Sequence, residues 1–272
     1  MESLHRRWQL LLVAIVFCLC HVESKPSQVE RIINGQNARP KQFPYQVIYD
    51  IEINKHWITM CGGTIIGKRT ILTAAHCLDG TRGEIQRIKI YLGAVDKSNS
   101  TETGQQIVIV EAGSYVIHEE WDLCEIINDI ALIKLPTDLE FNQYIQPAKL
   151  PEPKSLHADT NAIVSGWGLV NGHTSTQHLQ YASVKTISNK LCESLKDSNK
   201  KFYSHWLCVA PSKSVTCSGD SGGPLVEKNS DGSSTVIGIV SFGVEGCPIN
   251  TLRFFTRVSY FLTWIAQHSN EP

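Results

Sequence analysis

The apolar positions of the chain fall in short runs rather than in long helical periods. Stretches mostly rich in Val and Ile, bounded by Gly, Pro, Asn or Asp, predict strands at 46–51, 63–66, 87–92, 106–110, 130–135, 161–164 and 236–241. A helical period emerges only at the end, where Phe261, Trp264, Ile265 and His268 share one face of a short helix that Ser259 is placed to cap. Many short strands without intervening helices argue for an all-β sandwich or barrel, and the length beyond Arg31 suggests two such units. The polar, proline-containing stretch 142–160 is the expected crossing between them.

The N-terminus follows a different pattern. Arg6 and Arg7 precede an uninterrupted apolar run over 10–19, and small residues follow near Cys20 and Ser24. Such a run suits the core of a secretion signal, whereas a spanning helix needs about 20 apolar residues. Residues 1–24 are therefore expected to be a signal peptide, the alternative being an uncleaved anchor. No later stretch is long enough to cross a bilayer, so a secreted protein with no membrane association is expected. A short polar stretch then leads into Arg31-Ile32-Ile33-Asn34-Gly35, which has the form of a processing site.

Composition narrows the classes. With 272 residues, 42% hydrophobic and 19% charged, the chain can bury a sizeable core and is too aliphatic for disorder. Lys and Arg total 25 against 26 Asp and Glu, a net charge of −1, which offers no footprint for nucleic acid. Of nine cysteines, Cys18 and Cys20 lie in the leader. Cys61, Cys77, Cys124, Cys192, Cys208, Cys217 and Cys247 remain, without the CxxC spacing of zinc sites. In an oxidising compartment these form bridges, and their odd number leaves one thiol free or paired with another chain. Asn99-Ser100-Thr101 is a glycosylation sequon in a polar loop.

Three segments carry candidate chemistry. Thr73-Ala74-Ala75-His76-Cys77 sets a histidine beside a cysteine. Asn128-Asp129-Ile130-Ala131-Leu132 puts an aspartate at the mouth of an apolar strand, where a buried carboxylate needs a hydrogen-bond partner. Gly219-Asp220-Ser221-Gly222-Gly223-Pro224 surrounds a serine with glycines, whose tight turns let N–H groups converge on a carbonyl oxygen. Taken singly, the histidine and the aspartate read as structural residues. Together, and in this order, they do not.

These segments, with Ser165-Gly166-Trp167-Gly168 and Ile32-Ile33-Asn34-Gly35, resemble the chymotrypsin-like (trypsin-fold) serine proteases over 32–267. The resemblance implies an all-β fold of two packed antiparallel six-stranded β-barrels with a short C-terminal helix. The N-terminal barrel, 32–145, would carry His76 and Asp129, and the C-terminal barrel, 146–272, would carry Ser221. It implies a serine endopeptidase without cofactor or metal, in which Ser221 is the nucleophile, His76 the base and Asp129 the group that orients it. The N–H groups of Gly219 and Ser221 would form the oxyanion hole. Residues 25–31 would be an activation peptide, and cleavage after Arg31 would free the Ile32 amine to pair with Asp220. Expected partners are a protein or peptide substrate, an activating protease and protein inhibitors. The implied bridges are Cys61–Cys77, Cys192–Cys208 and Cys217–Cys247, leaving Cys124; the chain would be a monomer unless Cys124 pairs between chains. The loop 99–104 lies where some relatives bind calcium but shows no convincing ligand set. A different class of function, a catalytically silent homologue used as a binding module, usually lacks the serine or the histidine, and both are present here.

The specificity pocket departs from the commonest pattern. Its floor, by resemblance, is Val215 rather than the aspartate of trypsin-like members, and its walls are Val215 to Ser218, Ser241-Phe242-Gly243 and Leu252-Arg253-Phe254. Arg253 stands where glycine is usual. Three expectations stay open: it receives a substrate carboxylate, it turns outward to Glu245, or its stem fills the pocket.

Overall fold

The computed structural model describes residues 35–168, 177–196, 201–214 and 216–269. The leader, Arg31, Ile32 and Val215 lie outside the described residues. After β1 (Gln36–Asn37), the first sheet is built from β2 (Gln46–Ile53), β3 (His56–Ile65), β4 (Thr70–Thr73), β5 (Arg87–Leu92), β6 (Gln106–Glu111), β7 (Tyr115–Ile117) and β8 (Ala131–Lys134). The second contains β9 (Asn161–Gly166), β10 (Gln180–Ile187), β11 (Trp206–Val209), β12 (Pro224–Lys228), β13 (Ser234–Gly243) and β14 (Arg253–Arg257).

The first sheet runs β6-β5-β2-β3-β4-β8-β7, a half-barrel. The second runs β10-β11-β14-β13-β12-β9 and closes, because β9 pairs with both β12 and β10. β1 adds to its rim through β10, so the start of the described chain is already anchored on the second barrel. All strand pairs are antiparallel.

Side-chain alternation explains why these segments are strands. In β5, Ile88, Ile90 and Leu92 are buried while Arg87, Lys89 and Tyr91 face outward. Val164, Val184, Leu207, Leu225, Ile237 and Phe255 fill the closed barrel. The larger core begins in the half-barrel and continues across the junction to Trp167 and Ile239 and to Trp264 and Ile265 of the C-terminal helix. The crossing between sheets is sharp. Ala148 donates its N–H to Ile65 O at 2.9 Å, and the next residue, Lys149, donates to Ser234 O at 2.8 Å.

Two short helices complete the fold. α1 (Asn189–Leu195), which the apolar pattern does not announce, starts where the Ser188 hydroxyl accepts the Leu191 N–H. α2 (Leu262–His268) is the expected C-terminal helix, but Ser259 does not cap it. That residue lies in the preceding 3₁₀ turn, and its hydroxyl donates to Ser155 O at 2.5 Å. Among the described residues no helix is long and apolar enough to cross a membrane.

Disulfides join Cys61 to Cys77, Cys192 to Cys208 and Cys217 to Cys247. These are the pairs that the resemblance implies. Cys124 is exposed and outside them.

Candidate active site

His76 sits in a single 3₁₀ turn (Ala75–Cys77) that ends β4, and the Cys61–Cys77 bridge ties that turn back to β3. Asp129 enters just before β8, the strand paired with β4. Neighbouring strand ends thus bring the two together. The Asp129 carboxylate accepts the His76 backbone N–H at 2.9 Å and faces His76 Nδ1 at 2.8 Å.

Two hydroxyls from the second barrel complete the setting of Asp129. Ser241 donates to Oδ2 at 2.5 Å and Thr256 donates to the backbone carbonyl at 2.7 Å. Ser241, expected in the pocket wall, directs its hydroxyl to the aspartate. Thr256 went unnoticed in the sequence, where a threonine in a strand carries no signal of its own.

These contacts set the charges. Burial pushes Asp129 upward, but His76, by charge and hydrogen bond, with the Ser241 hydroxyl, brings it below the usual carboxylate range. Burial likewise disfavours charge on His76, and the Asp129 charge and hydrogen bond outweigh it, raising the imidazole above its ordinary value. With Nδ1 committed to Asp129, the proton-accepting atom is Nε2, whose neighbour is Cys77 Sγ at 3.7 Å.

Ser221 comes to this corner through its backbone. Gly62 on β3 donates its N–H to Ser221 O at 2.8 Å. The next residue, Gly222, has φ +73° and no room for a side chain: a Cβ there would lie 2.2 Å from Thr73 Oγ1 and 2.6 Å from Gly62 O. The serine loop therefore docks directly on the segment that carries His76. No hydrogen bond joins Ser221 Oγ to His76 among the described contacts, which is common before substrate arrives.

The loop leaves specific donors unused. The N–H groups of Asp220, Gly222 and Gly223 bond to Cys217 O, Val240 O and Asp220 O. Those of Gly219 and Ser221 bond to nothing among the described residues. Gly219, at φ +92°, supplies the turn. Two such donors in one loop beside a serine suit a developing oxyanion. Asp220 is fully buried, and its carboxylate accepts the N–H groups of Gly168 and Cys217 at 2.8 and 3.0 Å.

Arg253 is buried at 3% exposure and does not turn outward to Glu245, which is exposed. It lies opposite Gly243 on β13, where a Cβ would meet its Cδ at 2.7 Å. Its Nε donates to Thr216 O, Nη1 to Leu252 O and the Thr251 hydroxyl, and Nη2 to Pro248 O. Every one of these acceptors is neutral. Phe242 stacks flat on Phe254 at 4.4 Å, and Trp206 packs edge-on against both, so the adjacent wall is aromatic. Ser218 is exposed.

Among the described residues, Cys61, His76 and Cys77 form the one group of side chains close enough to share a metal ion. Both sulfurs are consumed in a disulfide, which removes them as thiolate ligands.

A His–Asp pair facing a glycine-rich serine loop at the junction of two β-barrels defines a serine hydrolase of the double-barrel class. The comparisons agree: residues 32–265 match the family model described as Trypsin. The chain is 39% identical to chymotrypsin of Phaedon cochleariae over 88% of this chain and 82% of that protein. It is 34% identical to chymotrypsin-C of Bos taurus over 89% of this chain and 90% of that one. A solved structure of HL collagenase superposes with a TM-score of 0.76 at 32% identity, covering 89% of this chain and 100% of that one. The chain belongs to the trypsin family of serine endopeptidases.

Proposed function

We propose that the protein is a secreted serine endopeptidase, made as a precursor, activated by cleavage after Arg31 and selective for residues other than Lys and Arg. The observation that carries this reading is the His76–Asp129 pair set against a serine loop with two unused N–H donors. In it, Ser221 Oγ attacks the scissile carbonyl while His76 Nε2 takes its proton. The oxyanion is held by Gly219 and Ser221 N–H, each worth roughly 3–4 kcal/mol in the transition state. His76 then protonates the leaving amine, and an acyl-enzyme on Ser221 remains for water to hydrolyse by the same steps in reverse. Asp129 keeps the imidazole in the tautomer with its proton on Nδ1.

Activation is read from Asp220. Cleavage after Arg31 frees the Ile32 ammonium, a cation for a fully buried carboxylate next to the nucleophile. Secretion is read from the 1–24 leader together with the three disulfides.

Specificity follows from Arg253. A fixed cation in the pocket wall repels a lysine or arginine side chain. Its four hydrogen bonds satisfy four of the five guanidinium N–H groups without neutralising the charge. Such a site favours a carboxylate, Asp or Glu, at the residue before the scissile bond. The test is a peptide-library cleavage profile of protein processed after Arg31, with Ser221→Ala as the blank and Arg253→Gly beside the wild type. Cleavage after Asp or Glu that vanishes in Arg253→Gly is expected. Cleavage after small residues in the wild type would mean that the arginine stem merely fills the pocket. No cleavage despite a free Ile32 terminus would favour a binding role.

A further inference from the structure

The segment that presents Asp129 is conformationally unusual. Ile126 has φ +53° and Asn128 has φ +56°, both left-handed, and Ile126 is β-branched. Backbone of this kind persists only where its surroundings hold it. The holding groups come from the other barrel. Trp206, the first residue of β11, donates its indole N–H to Ile126 O at 3.0 Å, and His205 just before it accepts the Asn128 N–H on Nε2 at 3.5 Å. Asn128 adds a side-chain N–H to Glu120 O at 2.8 Å. Two consecutive residues thus grip both ends of the 126–128 segment, and the residue that follows it is Asp129.

We propose that His205 is a positioning residue for catalysis: as a neutral imidazole accepting the Asn128 N–H, it fixes the strained 126–128 segment and through it the Asp129 carboxylate. This rests on the endopeptidase reading above. His205 suits the part because its surroundings keep it uncharged. It is 7% exposed, with the rings of Tyr203, Tyr260, Phe261 and Trp206 within 5.5 to 6.2 Å. The titratable and charged groups facing it are Tyr203 on its own segment, Tyr260, and the cationic or potentially cationic Arg257 and His118. Burial first, then His118 and Arg257, push its pKa down to about 4. The imidazole therefore stays neutral across neutral and mildly acid pH, and the Asn128 N–H directed at Nε2 favours the tautomer with its proton on Nδ1. Arg257 also pins the segment by donating its backbone N–H to His205 O at 2.7 Å and its Nε to Ser204 O at 3.1 Å.

Two measurements test this, and only one depends on activity. Nitrogen-15 NMR of imidazole-labelled, intact protein reads the tautomer of His205: the proton on Nδ1 and a bare Nε2 are expected, and a protonated Nε2 at pH 7 overturns the proposal whatever the enzyme does. In processed enzyme, His205→Phe is expected to lower kcat about five- to tenfold, the scale of one hydrogen bond, with KM changed less than about twofold. His205→Gln, which keeps an acceptor, is expected to restore most of that loss. Loss of kcat in both variants, or in neither, overturns the positioning role. A wild type that cleaves nothing while showing the Nδ1 tautomer would count against the endopeptidase reading and leave the imidazole contact established.

Discussion

Asp129 and Arg253 are both buried charged residues, and the fold treats them in opposite ways. Asp129, 1% exposed, is closed into a circuit of the protein's own making: His76 supplies its backbone N–H and Nδ1, and Ser241 and Thr256 supply hydroxyls. Arg253, 3% exposed, has hydrogen bonds to neutral oxygens only and no carboxylate partner among the described residues. A carboxylate whose hydrogen bonds are closed from within holds other groups in place. A cation without a carboxylate partner attracts or repels charged groups that approach it. In the proposed reading, the catalytic corner is internally complete and the pocket that Arg253 lines is complete only with a substrate.

Breaking the closed circuit has the largest expected effect. Asp129→Asn should cut kcat by about 10⁴-fold, because the imidazole loses its orienting partner. The acid limb of the pH–rate profile should also move. Asp129 raises the His76 pKa, activity needs neutral His76, and so the variant's limb should fall at lower pH than the wild type's. A stopped assay across pH 4–9 reads both effects.

Forcing the docking apart comes next. Gly222→Ala places a Cβ against Thr73 Oγ1 and Gly62 O at a positive φ, so the serine loop must lift from the His76 segment. A displacement of about 1 Å at such a site costs roughly 10²-fold in kcat/KM. The protein should also melt at a lower temperature, which differential scanning calorimetry would show.

On the open side, Arg253→Gly should leave acylation chemistry intact and change only the choice of substrate. The ratio of kcat/KM for a Glu substrate over its Gln counterpart should fall by about 10²-fold, the scale of a charge-assisted hydrogen bond. A ratio that does not change would show that Arg253 is as self-contained as Asp129, and the contrast between the two would disappear.

The smallest effect separates the hydroxyls from the histidine. Ser241→Ala should lower kcat about tenfold without altering the preferred residue before the scissile bond. A change in preference would show that the Ser241 hydroxyl also shapes the expected pocket wall.

The legible parts of the fold were those whose signal is local. Alternation in β5 and the apolar runs of β2 and β8 name their strands directly, and the motifs around His76, Asp129 and Ser221 name their residues. What escaped depends on tertiary placement. Ser188 is an ordinary N-cap, and Ser-x-x-Leu before a cysteine was signal enough for α1 had the period been longer than one helical face. Ser259 has the right residue type for a cap but finds the Ser155 carbonyl first. Thr256 in β14 and His205 just before β11 bond to the Asp129 segment from far along the chain, and nothing in their own neighbourhoods announces it. The direction of Arg253 likewise depends on four oxygens whose positions only the folded pocket defines.

The most direct measurement is intact-mass and peptide mapping of protein processed after Arg31 and treated with a fluorophosphonate, which labels only an activated serine. A single adduct on Ser221, forming far more slowly in Asp129→Asn and absent in Ser221→Ala, is the expected result. A processed protein with a free Ile32 terminus that takes up no adduct, or takes it up elsewhere, would contradict the assignment of Ser221, His76 and Asp129 as the catalytic group.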